Sequence, residues 1–464
     1  MSNPHRSTEF AEKMRAAGVR AAAIRAFLRN YDELVRGETG LIAETQIRSI
    51  ESLPELRQIA NEVDRSLLAK SAIIKLNGGL GTSMGLDQPK SLLPIRGSLT
   101  FLDFIARQVQ TLRRESGSSI AFLLMNSFNT SEATRKHLAR YPDLGVPESF
   151  ELMQSQVPKV EKQTLAPACW PPQPELEWCP PGHGDIYASL LDSGWLDRLL
   201  AGGVNYLFVS NSDNLGATLD LKLLTYFARS GFSFLMEVAN RAEADRKGGH
   251  LALGLDGRFL LREAAQCPPE AQPAFQDIHK HRFFNTNNVW IRTDRLKELP
   301  EVHHGLIPLP MIRNEKPIDP RDETSPRVYQ LETALGAAME CLPDAGAIVV
   351  PRSRFAPVKT TAELLGVRSD AYLATDDGRL DLASECDGRP PLIQLDARHY
   401  RTVEQLNANF AAVPSLCHCR ELIVEGLVRF AEGIEFRGKV RISNSSATSQ
   451  TLAPGVYEDR TIRL

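Results

Sequence analysis

Cysteine is sparse in these 464 residues: there are seven, an odd number, scattered apart from Cys417 and Cys419 and without a Cys-x-x-Cys pair. That usage excludes a disulfide-framed secreted module, and the thiols are expected to be reduced packing residues of a cytoplasmic protein rather than metal ligands. Long apolar runs are also missing. Nothing approaches the roughly 20 apolar residues that span a bilayer, and no apolar stretch follows the opening Met-Ser-Asn-Pro-His-Arg. Neither membrane insertion nor a secretory leader is therefore expected. Nor is there a surplus of positive charge: 54 Lys and Arg stand against 57 Asp and Glu, a net charge of −3. Nucleic acid and anionic membranes are not expected partners, whereas a polyphosphate ligand would need only local positive charge. What is present is a globular composition, 42% hydrophobic and 24% charged. At roughly 150 residues per domain the chain has room for two or three.

The most informative stretch covers residues 73–91, Ile-Ile-Lys-Leu-Asn-Gly-Gly-Leu-Gly-Thr-Ser-Met-Gly-Leu-Asp-Gln-Pro-Lys-Ser. A short apolar run from Ala72 to Leu76 breaks at Asn77, Gly78, Gly79 and Gly81, as a buried strand feeding a glycine loop does. Without Cβ atoms such a loop lets a polyanion approach the backbone, and Lys90 adds a full positive charge. Two phosphate loops are excluded by spacing. A Walker A loop has Gly before its Lys, and Pro89 stands there; a dinucleotide fingerprint is Gly-x-Gly-x-x-Gly, and Gly79, Gly81 and Gly85 are one residue too long.

Upstream, residues 7–69 read as amphipathic helix, with 55–68 a helix leading into the first strand. Downstream, Thr100 and Asp103 can cap a helix whose Phe101, Ile105, Val109 and Leu112 share one face. Residues 120–125 form a strand, a polar helix lies near 132–140, and Leu191, Trp195 and Leu199 share one helical stripe. Strands are expected at 204–210, 232–238 and 289–292. This alternation predicts an α/β core with a mainly parallel sheet, covered on both faces, whose ligand site lies at the carboxyl ends of the strands.

Several polar groups follow strands or interrupt loops. Residues 154–184 form a Pro-rich insert ending Pro-Pro-Gly-His-Gly-Asp, where Pro180 and Pro181 stiffen the chain and the flanking glycines present His183 just before a helix. The bland alternative is a helix-capping histidine. The strand at 204–210 runs into Asn211-Ser212-Asp213-Asn214, placing a carboxylate where a Mg²⁺ and phosphate oxygens could meet; the alternative is an Asx turn. Position 215 is Leu, so the Asp-x-Asp of many glycosyltransferases is absent. Lys247-Gly248-Gly249, Glu263 and the Asn285–Asn288 run offer sugar hydrogen bonds, each weak alone. After an apolar strand, residues 351–361 concentrate Arg352, Arg354 and Lys359. Beyond about 390 the composition changes: Val424, Gly426, Val428 and Phe430 are echoed by Phe436, Gly438, Val440 and Ile442 at an offset of 12, as in a short β-helix or a pair of hairpins.

Leu-Asn-Gly-Gly-Leu-Gly-Thr-Ser-Met-Gly with Pro-Lys-Ser, the Pro-Pro-Gly-His-Gly-Asp insert and Pro-Arg-Ser-Arg-Phe…Pro-Val-Lys-Thr-Thr together resemble the eukaryotic-type UTP–glucose-1-phosphate uridylyltransferase family. The resemblance implies a Rossmann-like, GT-A-like nucleotidyltransferase core with a mixed, mainly parallel sheet at 66–385, an N-terminal helical segment at 1–65 and a left-handed β-helix at 386–464, often used for self-association. It implies UTP and glucose 1-phosphate as substrates and Mg²⁺ as cofactor. By the same carry-over Leu76, Asn77, Gly78 and Gly79 hold the nucleotide through backbone, and Gln154 and Gly182 read uracil. Lys90 and Lys359 neutralise phosphate, Asp213 holds the metal, and His183, Asn211, Glu263 and Asn287 address the sugar phosphate. One departure stands out: Leu86-Asp87-Gln88 replaces the family's Cys-Lys-Gly, bringing a negative charge toward the triphosphate. The rival expectations are a pyrophosphorylase for another sugar 1-phosphate, such as galactose or an N-acetylhexosamine, and a non-catalytic nucleotide-sugar-binding protein.

Overall fold

The computed structural model describes residues 6–302 and 306–464; the first five residues, on which part of the leader reading rests, lie outside the described residues. Its centre is a ten-stranded sheet. In chain order the strands are β1 (Ile47–Arg48), β2 (Ser71–Asn77), β3 (Ala121–Asn126), β4 (Glu151–Met153), β5 (Tyr206–Asn211), β6 (Phe234–Asn240), β7 (His250–Gly254), β8 (Phe259–Arg262), β9 (Phe283–Arg292) and β10 (Ala345–Val349). Across the sheet the order is β1, β7, β9, β5, β2, β3, β4, with β6 joining β9 to β10 and β8 flanking β7.

Strand β2 lies parallel between β5 and β3 and is buried along most of its length. Its alternate side chains enter two different cores. Ile73 joins Phe122 and Phe208 on one face, and Ile74 joins Leu123 and Val209 on the other. That two-sided cover is why the run reads as continuously apolar. The predicted cap is present, with Thr100 and Asp103 bonding reciprocally at the start of helix Phe101–Ser116.

Four expectations are corrected. The sheet is mixed, as the family resemblance implies, but it is not mainly parallel, because β9 runs antiparallel to β5, β6 and β7. Residues 55–68 are not an α-helix; Leu56 N donates to Val349 O and Val349 N to Pro54 O, so sheet-edge pairing takes the main chain that helix propensity alone would have coiled. In the N-terminal segment the α-helices are Ser7–Ala16 and Ala21–Val35. The 191–199 stripe is split into helices Ile186–Asp192 and Trp195–Ala201 at Gly194, whose φ is 71°. Finally, the C-terminal repeat does not stack at an offset of 12.

There, strands Leu392–Leu395, Cys419–Glu425, Ile434–Ser443 and Gly455–Arg463 pair side by side, and every pairing is parallel. Val424 lies beside Ile442, and on a second small parallel pair Val428 lies beside Gln450. Parallel neighbours cannot be hairpins, so the hairpin alternative fails. The inward side chains Leu422, Phe430, Phe436 and Val440 belong to the same core as one face of the central sheet.

Candidate active site

The carboxyl ends of β2, β3 and β5 are tied together by one buried amide. Asn77 Nδ2 donates to Asn126 Oδ1 at 2.7 Å and Thr134 Oγ1 at 3.0 Å, and Asn77 Oδ1 accepts from Ser212 Oγ at 3.1 Å. Above this knot lies a cleft of about 340 Å³ lined by Leu76, Gly78, Gly79, Leu80, Lys90, Met125, Gln154, Pro180, Gly182, His183, Asn211, Ser212 and Asp213. Segments far apart in sequence therefore meet at one place. The side chain of Asn77 lies beneath the floor, where it braces the loop.

The glycine loop returns on itself, with Lys90 N donating to Gly79 O at 3.2 Å. Gly78 is required by close approach: a Cβ there would meet Gln154 Oε1 at 2.4 Å. Gln154 is fixed in turn, its Nε2 donating to Gly182 O at 3.0 Å. The next residue, Ser155, donates its amide to Asp185 at 2.7 Å, and burial raises that carboxyl to about 6. Of the departing residues, Leu86 packs over Gly81 and joins the core. Asp87 is exposed and lines none of the cleft, so solvent screens its charge.

Lys90 and Asp213 form an ion pair, Nζ to Oδ2 at 2.5 Å, with side chains 17% and 15% exposed. Asp213 Oδ1 is buried with no protein partner. Lys359 reaches the same place by backbone: Val358 N donates to Asp213 O at 3.3 Å, and Pro357 bridges Asn214. It is exposed at the mouth, close enough for its charge to lower the pKa values of both His183 and Glu263. The neighbouring arginines do not contribute cations to the cleft. Arg352 pairs with Asp245 and Arg354 with Glu237, so the expected three-cation patch reduces to Lys359.

At the other end His183 accepts from Leu335 N on Nδ1 at 2.7 Å, which leaves the proton on Nε2. Burial, helped by Lys359, holds this imidazole down at about 4, so it is neutral at pH 7. His183 does not cap the helix that follows it; its Nδ1 instead meets the first amide of a remote 3-10 helix, Leu335–Glu340. Asn287 lies behind Asn211, its Nδ2 donating to Asn211 Oδ1 at 2.9 Å. It sits at φ 59° in a bulge of β9, between the β6 pairings Asn288↔Glu237 and Asn285↔Val238, and its Oδ1 is unpaired. Glu263 is one step further, accepting from Asn285 Nδ2 at 3.3 Å, and burial raises its carboxyl.

Two buried cations were not read from the sequence as site residues. Lys75 in β2 donates from Nζ to Ser210 Oγ at 2.8 Å and Ala217 O at 2.6 Å, and burial lowers its ammonium to about 7. The signal was there, since a lysine inside an apolar strand directly before a glycine loop is rarely fully buried without purpose. The other, Arg354, stands in the sequence only as one of three cations after an apolar strand.

The family model for UTP–glucose-1-phosphate uridylyltransferase matches residues 24–437. The Solanum tuberosum UTP–glucose-1-phosphate uridylyltransferase is 40% identical over 394 residues, covering 84% of this chain and 80% of its own length. The Saccharomyces cerevisiae protein of the same name is 42% identical, covering 81% and 74%. A crystal structure of a Leishmania major UDP-glucose pyrophosphorylase variant in complex with UDP-glucose superposes with a TM-score of 0.95 at 47% identity, covering 99% of each chain. With the cleft built from the glycine loop, the His183 insert and the Asp213 turn, and with relatives matched across most of its length, the chain belongs to the UTP–glucose-1-phosphate uridylyltransferase family.

Proposed function

We propose that the chain transfers the uridylyl group of UTP to α-D-glucose 1-phosphate, giving UDP-glucose and pyrophosphate. The observation that carries this reading is the convergence of Lys90, Asp213 and the Lys359 segment beside a glycine loop at the ends of parallel strands. A phosphate oxygen of the sugar phosphate attacks the α-phosphorus of UTP in line with the departing pyrophosphate. No protein nucleophile is needed, and catalysis is positioning plus charge neutralisation.

In this reading the main chain from Leu76 to Gly79 cradles the nucleotide, and Gln154 and Gly182 read the uracil edge. Lys90 and Lys359 face the phosphates. His183 offers its Nε2 proton to a phosphate oxygen, a role that needs the neutral ring its burial provides. Asn211, Asn287 and Glu263 address the sugar phosphate. For Mg²⁺, the buried and unpartnered Asp213 Oδ1 is a fitting ligand. Among the described residues no group of three His, Cys, Asp or Glu could hold a metal, so Asp213 would hold the ion only together with oxygens of the nucleotide. When bound, the ion supplies charge to the α-phosphate.

We further propose residues 1–65, 66–385 and 386–464 as N-terminal segment, catalytic core and C-terminal left-handed β-helix, the last supported by its all-parallel pairings. Cytoplasmic residence is supported by seven free cysteines, and the C-terminal unit is the candidate for self-association. The test is pyrophosphate release from UTP and Mg²⁺ with a panel of sugar 1-phosphates. Glucose 1-phosphate should be preferred. Preference for galactose or N-acetylhexosamine 1-phosphate would move the assignment to that sugar, and binding without turnover would make the chain a nucleotide-sugar-binding protein.

A further inference from the structure

We propose that Arg354 is a positioning residue for this reaction: clamped to Glu237, it uses its own backbone carbonyl to hold the Asp213 turn and the Lys359 segment in one register. The inference rests on the uridylyl transfer proposed above. Glu237 is fully buried in β6 and its two oxygens are saturated. Oε1 accepts from Arg354 Nη2 at 2.8 Å and Trp290 Nε1 at 2.9 Å; Oε2 accepts from Arg354 Nε at 2.8 Å and Asn288 Nδ2 at 3.2 Å. A bidentate fork of this kind fixes the guanidinium in both position and plane. Arg354 Nη2 also donates to Thr218 O at 2.9 Å, on the chain just past the Asp213 turn.

The backbone around this anchor leads to both catalytic elements. Arg354 O accepts from Asn214 Nδ2 at 3.1 Å, and Asn214 Oδ1 accepts from Ala356 N at 3.0 Å. Asn214 is the neighbour of Asp213. Val358 N then bonds Asp213 O, and Lys359 follows. The approach is so close that a Cβ on Gly216 would lie 2.1 Å from Ser353 O. A third output runs through Asn288, which touches both Glu237 and Arg354 O and sits next to Asn287. A buried ion pair serving stability alone would need none of these links to the turn and the loop, and such pairs stabilise little by themselves.

The experiment is a double-mutant cycle with Lys359→Ala. Asn214→Ala removes the link while leaving the Arg354–Glu237 pair in place, and Arg354→Lys keeps the charge but loses the fork. Each should lower kcat roughly 10- to 100-fold, the loss expected from misplacing a catalytic group by about 1 Å. KM for UTP should stay within about twofold, because the nucleotide cradle is made elsewhere. In the Lys359→Ala background either substitution should cost clearly less than it does in the wild type, since one of the two groups it positions is gone and only its hold on the Asp213 turn is left to lose. If Arg354→Lys does not fold, Asn214→Ala decides. Effects that multiply fully with Lys359→Ala, or an Asn214→Ala chain with wild-type kcat, overturn the inference alone. A wild-type chain that releases no pyrophosphate overturns the reaction and this inference with it.

Discussion

The two lysines at the cleft are held in opposite ways. Lys90 is mostly buried and paired with Asp213, on a loop whose ends are bonded to each other. Lys359 is exposed, its ammonium makes no hydrogen bond or ion pair among the described residues, and the backbone before it is anchored. Both carry the same charge into the same space. The difference lies in when each charge becomes available to a ligand. Lys90 must exchange a carboxylate for a phosphate, whereas Lys359 can swing onto one without breaking a bond. Exposed lysine retains its rotamer freedom until it binds, so the second arrangement exchanges rigidity for reach.

Substitution can break this contrast. The largest effect should come from Asp213→Ala, which removes the proposed metal ligand and the partner of Lys90 together; turnover should fall by about 10³-fold or more with the far-ultraviolet circular dichroism unchanged. Near-normal turnover would remove Asp213 from the chemistry. Lys359→Ala and Lys90→Ala should each lower kcat by about 10²- to 10³-fold. Only Lys90→Ala should also move the thermal midpoint, because only it strands a carboxylate. Equal midpoints in the two variants would erase the distinction drawn here.

A smaller effect is expected at the base-reading end. Gly78→Ala places a methyl against Gln154 Oε1, so KM for UTP should rise about tenfold while kcat holds within a fewfold. Steady-state kinetics with varied UTP checks this, and an unchanged KM would move the base away from Gln154. The smallest effect concerns Lys75, and it is one of stability. Its folded pKa of about 7 lies below the ordinary lysine value of about 10.4. Between those values the unfolded chain binds the extra proton, so stability rises with pH. In urea unfolding, the wild type should therefore gain on Lys75→Met between pH 7 and 9. A constant gap would mean that Lys75 stays charged in the fold.

Local pattern made much of this legible. Strand β2 and its glycine loop were read from an apolar run meeting Gly78 and Gly79, and helix Phe101–Ser116 from the Thr100 and Asp103 cap. These depend on contacts within a few residues. Residues 55–68 misled because the main chain at their start, around Leu56, pairs with β10, nearly 300 residues away in the chain. Arg352 and Arg354 misled for a related reason: a surface cation and a buried one look alike until Asp245 and Glu237 are placed beside them. The extent of antiparallel pairing around β9 escaped because strand direction is set by connections that leave no periodicity.

Spacing and residue type alone determined that this chain has a glycine loop followed by Lys90, and polar groups waiting at strand ends. Tertiary structure decided which of them meet: that Asp213 faces Lys90, that Lys359 arrives without its arginines, and that His183 is neutral with its proton on Nε2. Chemical identity is carried along the chain, whereas distance, burial and the pKa values that follow from them exist only once remote segments are packed together.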